Sequence, residues 1–310
     1  MNRLKGYAFI LGATLFWGVA ATAAKFLFTR NYDTLVLVQM RMTISCLLLL
    51  AWFVLFKRKF LAVKARDLWH FAALGLIGGA GSNFTYYFTI RQTNVATAIL
   101  LQYLAPLLVL LWAAVSGEEK LTKAKLAAGA VSLAGCYLAI AGRDFSVLSI
   151  NRLGLVSGLA SAFCWGFTNV FLRHLVKRYN VWTCLLYAFI FSSLLWIVIN
   201  PPWKIAAAGY DARTWGTFLV FAVISILIPH SLYFGGIRYL TASRAIITAT
   251  FEPIVAIASS FVILGESLAP VQIAGAVLVV SAIAILQIRH GSEPDTGGAA
   301  VTPVGHSVAE

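Results

Sequence analysis

The chain has 310 residues, of which 60% are hydrophobic and 11% are charged, with a formal net charge of +13 and a mean hydropathy of +0.85. A soluble domain carries about 25% charged residues, so this composition excludes an ordinary water-soluble surface. The Lys and Arg residues lie in short loops between apolar runs rather than on one face, which argues against nucleic-acid binding.

Apolar runs of roughly 20 residues, enough to cross a hydrocarbon core about 30 Å thick, recur along the whole chain. Lipid offers no partners for backbone N–H and C=O groups, so we expect these runs to be helices. The short alternating strands of an outer-membrane barrel are not found. The predicted fold class is an all-α polytopic membrane protein with ten transmembrane helices. They cover residues 6–28, 34–56, 68–90, 95–115, 123–142, 153–173, 181–199, 213–237, 243–264 and 270–288.

The first of these runs also resembles a signal peptide. It follows Arg3 and Lys5 and contains Ala21-Thr22-Ala23, which matches an A-x-A cleavage site. However, the run is long enough to span a membrane, and a similar run appears in mid-chain, where no signal peptide occurs. We therefore interpret it as a retained first helix.

The distribution of Lys and Arg in the loops predicts the orientation. If both termini are cytoplasmic, sixteen of these residues lie on the cytoplasmic side and six lie outside. Cytoplasmic loops are generally richer in Lys and Arg, so we expect both termini inside. Residues 291–310 are rich in Gly, Ser, Pro and Thr, which predicts a disordered cytoplasmic tail.

The chain also repeats itself with a shift of 147 or 148 residues. Four features recur in register: Phe16-Trp17-Gly18 as Cys164-Trp165-Gly166, Tyr86–Arg91 as Tyr233–Arg238, Pro106 as Pro253, and Glu119 as Glu266. The predicted halves, 1–145 and 146–290, each hold five helices, an odd number, so the second half is expected to cross the membrane upside down. Inverted repeats are typical of secondary transporters, which bind substrate near the midplane between the repeats.

Several of these residues resemble a known family. Phe16-Trp17-Gly18, Arg41, Glu252-Pro253 and Leu264-Gly265-Glu266-Ser267-Leu268 are similar in order and spacing to the EamA-type proteins of the drug/metabolite transporter superfamily. The resemblance covers residues 6–288 and implies ten helices around a central cavity, with export of amino acids or similar metabolites. Within the family the chain most resembles bacterial exporters of aromatic amino acids. One departure is that Ala105-Pro106 stands where the second half has Glu252-Pro253.

Two charged residues are predicted inside helices, where charge is costly and usually marks a function or a pair. Arg41 lies in the second helix and Glu252 in the ninth. Glu252 is a candidate site for a substrate amine or a proton. The alternative is a structural ion pair between Arg41 and Glu252 that holds the two halves together.

Aromatic and polar residues at similar depth are candidates for substrate binding. Trp17 and Trp165 fall halfway along equivalent helices, where they suit a planar or amphipathic substrate, although packing between helices explains them equally well. His230 follows Pro229, and it either binds a proton or polar substrate or is a hydrogen-bonded histidine within the bundle. The remaining candidates are Asn83, Tyr87, Gln102, Tyr103, Asn169 and Tyr233.

Pro106, Pro229 and Pro253 interrupt predicted helices and are candidate hinges. No P-loop motif is present, so the chain is not expected to be an ATPase. The four cysteines lie in apolar segments without metal-ligand spacing and are expected to be buried free thiols. No cofactor and no metal are predicted.

The sequence thus predicts a transporter that works by alternating access, not an enzyme. The resemblance to the EamA-type proteins implies that it exports amino acids across the bacterial inner membrane, with aromatic and other neutral amino acids as substrates. We expect it to act as a monomer in the lipid bilayer. An alternative is efflux of lipophilic cations or other metabolites. A membrane-embedded lipid enzyme is disfavoured, because the eleven acidic residues form no paired-carboxylate or metal motif. Facilitated diffusion and proton antiport remain equally compatible with the sequence.

Overall fold

The computed structural model describes residues 2–29, 32–92, 95–117, 122–141, 152–265 and 269–288. These residues form helices and no strand, and the predicted tail, 291–310, lies outside them. The helices are α1 Asn2–Thr29, α2 Thr34–Phe56, α3 Leu68–Ala73, α4 Ser82–Gln92, α5 Val95–Gln102, α6 Ala105–Ser116, α7 Lys123–Ala141, α8 Arg152–Leu175, α9 Val181–Ile199, α10 Pro202–Ala207, α11 Ala212–Ala222, α12 Ile228–Ile237, α13 Ala242–Ala249, α14 Glu252–Leu264 and α15 Pro270–Ile288.

Six helical stretches within the described residues are long and apolar enough to cross a membrane. Two shorter apolar helices, Ala105–Ser116 and Pro270–Ala282, accompany them. The six are Arg3–Ala24, Leu35–Phe56, Arg152–Leu175, Val181–Ile199, Ala212–Ile237 and Ala242–Ile263. The described part of the chain is therefore all-helical, and the protein is a multi-pass membrane protein.

The large side chains on the outside of the bundle fit this environment. Val115 is 87% exposed, Val262 78% and Val198 76%. Water would penalise so much exposed apolar surface, whereas hydrocarbon does not. The buried side chains between the helices include small and hydroxyl-bearing residues, which is typical of helix packing in membranes.

The two halves contact each other in a reciprocal way. The first helix of each half packs against the third helix of the other half, so α1 contacts α12 while α8 contacts α4. The second helices α2 and α9 pack together, and so do the fifth helices α7 and α15. Each main contact thus has a counterpart when the halves are exchanged.

The second helices also begin in the same way. Asp33 accepts a hydrogen bond from Val36 N at 2.8 Å, and Asn180 accepts one from Trp182 N at 3.0 Å. These N-caps satisfy backbone donors that have no partner inside the helix. The caps are 147 residues apart, so they agree with the alignment of α2 with α9 in the repeat.

Each candidate hinge proline lies at a helix interruption. Pro106, Pro229 and Pro253 are each the second residue of a helical segment, in α6, α12 and α14. At Pro106 and Pro253 the first turn tolerates proline, since the missing N–H has no partner inside the helix there. Pro229 instead lies in a helix that continues from the π-segment before it. Breaks at Tyr103-Leu104 and Thr250-Phe251 precede two of these segments. The interruptions are thus observed, while hinge motion stays a prediction.

Wide helical turns occur at equivalent places in both halves. Leu74–Gly81 forms a π-helix between α3 and α4, and Val223–Leu227 forms one between α11 and α12. In the second half the widening fits the ring of Pro229, which clashes with the regular α-helical pattern before it. π-segments frequently mark functional positions, because they change the direction of the side chains that follow.

Candidate functional site

Four of the aromatic side chains predicted for the site, Trp17, Trp165, His230 and Tyr233, meet between α1, α8 and α12. The ring of Trp17 lies 5.9 Å from Trp165, 5.2 Å from His230 and 5.2 Å from Tyr233, centroid to centroid. Trp165 also lies 5.4 Å from Tyr233. Most of these contacts are tilted or edge-to-face, which aromatic pairs prefer. The structure thus brings together one tryptophan from each half.

Asn169 anchors this aromatic cluster. Its Nδ2 donates to the Trp165 carbonyl at 2.8 Å, and its side-chain oxygen accepts a hydrogen bond from the Tyr233 hydroxyl. Asn169 and Tyr233 are fully buried, whereas Trp17 and Trp165 are half-buried. Asn169 and Tyr233 therefore orient the tryptophans, and the tryptophans present the accessible surface.

His230 is the third residue of α12, shortly after the second π-segment, and it is partly buried. Its Nδ1 lies 3.0 Å from the Ile226 carbonyl, which only accepts, so Nδ1 carries a proton. The ring packs against Phe189 at 5.8 Å and Phe234 at 6.3 Å. Nε2 has no hydrogen-bond partner among the described residues and is not enclosed. It is therefore available to a ligand.

Arg41 projects from α2 towards the third helix of its own half. Its Nη2 donates to Asn83 Oδ1 at 2.7 Å, and its guanidinium carbon lies 5.5 Å from the Tyr87 ring centroid. Asn83 is held in turn by its Nδ2, which donates to the Gly79 carbonyl at 2.8 Å. The π-segment therefore supplies a carbonyl that positions the partner of Arg41.

Glu252 is the first residue of α14, where the helix dipole favours a negative charge. Its Oε2 accepts a hydrogen bond from the Tyr103 hydroxyl at 3.2 Å. The ion pair between Arg41 and Glu252 that the sequence allowed is not formed. Both residues are described, and each has other partners instead. The Arg41 charge nevertheless acts on Glu252 through space.

Gln102 differs from the other candidates because its side chain joins three helices. Its Nε2 donates to Ser161 Oγ at 2.9 Å and to Ser82 Oγ at 3.3 Å, which joins α5 to α8 and α4. This use of both amide hydrogens leaves only its oxygen for a ligand.

The predicted site residues omitted Tyr86. Its ring centroid lies 5.3 Å from that of Tyr87, and it interacts electrostatically with Glu252 and Arg41. The repeat contained the signal, because Tyr86 is the counterpart of Tyr233. By the same shift of 147 residues, Asn83 is the counterpart of His230.

Partly buried polar and aromatic side chains therefore gather between the two halves, and we call the region that they line the central chamber. Trp17, Trp165, Tyr87, His230 and Glu252 are all partly accessible although they lie inside the bundle. Such groups suit binding by stacking, hydrogen bonding and charge. Within the described residues, no group of three or more His, Cys, Asp or Glu side chains is placed to hold a metal ion.

Comparison with known proteins agrees with this arrangement. The profile of the EamA-like transporter family matches residues 4–141 and again residues 152–288. The inner membrane transporter YicL of Salmonella typhimurium is 23% identical over 290 residues, covering 92% of this chain and 95% of YicL.

Two further relatives have named substrates. The riboflavin transporter ImpX of Fusobacterium nucleatum is 28% identical and covers 71% of this chain and 77% of its own length. The threonine/homoserine exporter RhtA of Escherichia coli is 22% identical, with 82% of each chain covered. A protein of known crystal structure shares the fold with a TM-score of 0.74 at 19% identity, covering 92% of this chain and 96% of that one.

Proposed function

This chain belongs to the EamA-like transporter family of the drug/metabolite transporter superfamily, and we propose that it exports amino acids, including aromatic and other neutral ones, across the bacterial inner membrane. Transporter homologues and the repeated family domain identify a transporter rather than an enzyme. In the proposed topology ten helices cross the membrane as two inverted halves, 1–145 and 146–290, with both termini cytoplasmic.

The observation that supports this proposal is the edge-to-face contact of two partly buried tryptophans, Trp17 and Trp165, one from each half. Their faces and edges suit the side chain of an aromatic or other apolar amino acid. His230 and Glu252 present a free nitrogen and a free oxygen close by for polar groups. The named substrates of the exporter RhtA, threonine and homoserine, are amino acids, which supports this substrate class.

Alternating access follows from the repeat. Two similar halves with reciprocal contacts have two arrangements of nearly equal energy, each open to one side, if the halves are inverted. The proline interruptions in α6, α12 and α14 are suited to absorb the change in backbone angle. The chamber belongs to a single chain, so we expect the monomer to be functional.

A second candidate function is transport of a larger planar ring system. The aromatic cluster around Trp17 suits stacking against such a ligand, and the relative ImpX is named for riboflavin transport. Efflux of a lipophilic cation is a further alternative that uses Glu252 and the same aromatic walls.

Reconstitution into liposomes tests the proposal. Purified protein is assayed for uptake of labelled aromatic, neutral, acidic and basic amino acids, and of riboflavin and a lipophilic cation, with and without a pH gradient. We expect saturable uptake of neutral and aromatic amino acids that empty liposomes lack. The pH response distinguishes facilitated diffusion from proton antiport. Uptake of riboflavin or the cation, with no amino acid transported by folded protein, would reject the proposed substrate class.

A further inference from the structure

Arg41 and Glu252 are two opposite charges that the repeated fold does not require. The shift of 147 residues that aligns the second helices pairs Arg41 with Ala188, and the same shift pairs Glu252 with Ala105. Both alanines are buried. The second half therefore has no charge at the position equivalent to Arg41, and the first half has none at the position equivalent to Glu252. Because charge at membrane depth is costly, a charge that the scaffold does not need points to a ligand.

The guanidinium of Arg41 is only partly satisfied. Its Nη2 donates to Asn83, and it lies over the Tyr87 ring, but its Nε is buried without a partner. Its Nη1 also has no partner among the described residues, and it is not enclosed. No described carboxylate lies within ion-pair distance. Within the described part of the chain, Arg41 thus has no ion-pair partner of its own beside the chamber and acts on Glu252 only through space. Guanidinium groups bind carboxylates well.

Glu252 is a negative charge that is also only partly satisfied by hydrogen bonds. Tyr103 donates to its Oε2, while its Oε1 has no partner among the described residues and is accessible. An ammonium group placed at Oε1 would meet the negative charge of the carboxylate. The same group placed at Arg41 would meet a positive charge.

We propose that the chamber selects molecules carrying a carboxylate and an ammonium group together, with the carboxylate at Arg41 and the ammonium group at Glu252. This inference rests on the proposed function and assigns the two charged groups of the substrate to two named residues. A ligand with one charge leaves the other protein charge uncompensated in a medium of low dielectric constant, which is unfavourable. Asn83 and Tyr103 are the positioning residues, since each holds one of the two charges.

The test compares three ligands that differ by one charged group. Unlabelled L-phenylalanine, 2-phenylethylamine and 3-phenylpropionate compete with labelled L-phenylalanine in counterflow by proteoliposomes. For the wild type we expect the amine and the acid to compete roughly 30-fold more weakly than phenylalanine, as when one partner of a buried charge pair is removed. In the Arg41→Gln variant the amine should compete as strongly as phenylalanine. In the Glu252→Gln variant the acid should compete as strongly as phenylalanine.

Arg213→Gln is the matched control, because Arg213 is exposed and remote from the chamber; it should keep the wild-type ranking. Arg41→Lys should retain part of the preference. If the wild type transports phenylalanine but all three ligands compete equally, the inference is wrong while the proposed function stands. The inference is also wrong if folded variants weaken all three ligands without changing their order. Wild-type protein that transports no amino acid would instead reject the proposed function itself.

Discussion

The hydroxyl of Tyr233 donates a hydrogen bond to the side-chain oxygen of Asn169, which joins α12 to α8 directly behind the tryptophans. Asn169 uses its amide hydrogen on the Trp165 carbonyl in the same turn. Both residues are buried, so neither side chain has water as a substitute partner. This contact connects the architecture of the bundle to the orientation of the chamber wall.

Tyr233→Phe should therefore destabilise the protein by about 1–3 kcal/mol, because the buried Asn169 oxygen loses its donor. Thermal unfolding of the detergent-purified protein, followed by size-exclusion chromatography, measures the change. The repeat supplies the control: Tyr86 occupies the equivalent position and its hydroxyl has no hydrogen-bond partner among the described residues. Tyr86→Phe should have a much smaller effect, and equal shifts for the two variants would contradict the role given to Asn169.

A second prediction concerns the approach of α1 to α14 at Gly18. A Cβ atom added there would lie 2.5 Å from Val255 Cβ, whereas one added at the equivalent Gly166 would lie 3.5 Å from its nearest neighbour, Val109 Cγ2. Gly18→Ala should cost about 1–3 kcal/mol through overpacking. Gly166→Ala should be tolerated.

The same alanine variants test whether this asymmetry matters for transport. The contact at Gly18 is reinforced by the Thr22 and Ser259 hydroxyls, 2.6 Å apart. We expect Gly18→Ala to lower the melting temperature and to slow flux, with Gly166→Ala close to the wild type in both assays. If the two variants behave alike, the close approach at Gly18 has no special role.

The facing tryptophans lead to a third prediction. Trp17→Ala and Trp165→Ala should each reduce flux of aromatic amino acids by roughly threefold to tenfold, which corresponds to the loss of one aromatic contact. Trp17→Phe should retain more activity than Trp17→Ala. Trp203, which is 71% exposed, gives the control Trp203→Ala. Unchanged flux and selectivity in folded Trp17→Ala and Trp165→Ala proteins would exclude these residues from the site.

A fourth prediction uses a contact outside the membrane-spanning segments. The Tyr179 hydroxyl donates to Asp67 Oδ2 at 2.5 Å and holds the pKa of that carboxyl below its ordinary value of 3.8. A lowered pKa in the folded state stabilises the protein above the ordinary value, and this contribution is lost as the pH falls through the folded value. Tyr179→Phe should therefore lower the melting temperature at neutral pH.

The difference between wild type and Tyr179→Phe should shrink below pH 3.8 as Asp67 becomes protonated. Melting temperatures measured from neutral to acid pH test this. Tyr210→Phe serves as the control, because the Tyr210 hydroxyl has no hydrogen-bond partner among the described residues. A difference that persists at acid pH would mean that Tyr179 stabilises the loop by packing or through the hydrogen bond that it accepts from Lys64 N, rather than through the carboxylate.

Much of the architecture can be predicted from the sequence, because membrane helices are local structures. An apolar run must satisfy its own backbone in lipid, so composition and length identify spans such as 34–56 and 181–199 without knowledge of their neighbours. The repeat also follows from linear comparison, and it identifies Trp17 and Trp165 as equivalent residues. The prolines can be placed at interruptions because proline lacks an N–H.

The contacts between helices are decided only by the tertiary structure. Arg41 binds Asn83 and lies on Tyr87 rather than pairing with Glu252, and Tyr103 holds Glu252. These outcomes depend on how each helix is rotated and how closely it approaches its neighbours. That rotation depends on packing across residues far apart in the chain and, in the third helix of each half, on a π-segment that shifts the side chains after it. Hydrophobic periodicity determines that a helix exists, but it does not determine which polar side chains of two helices meet.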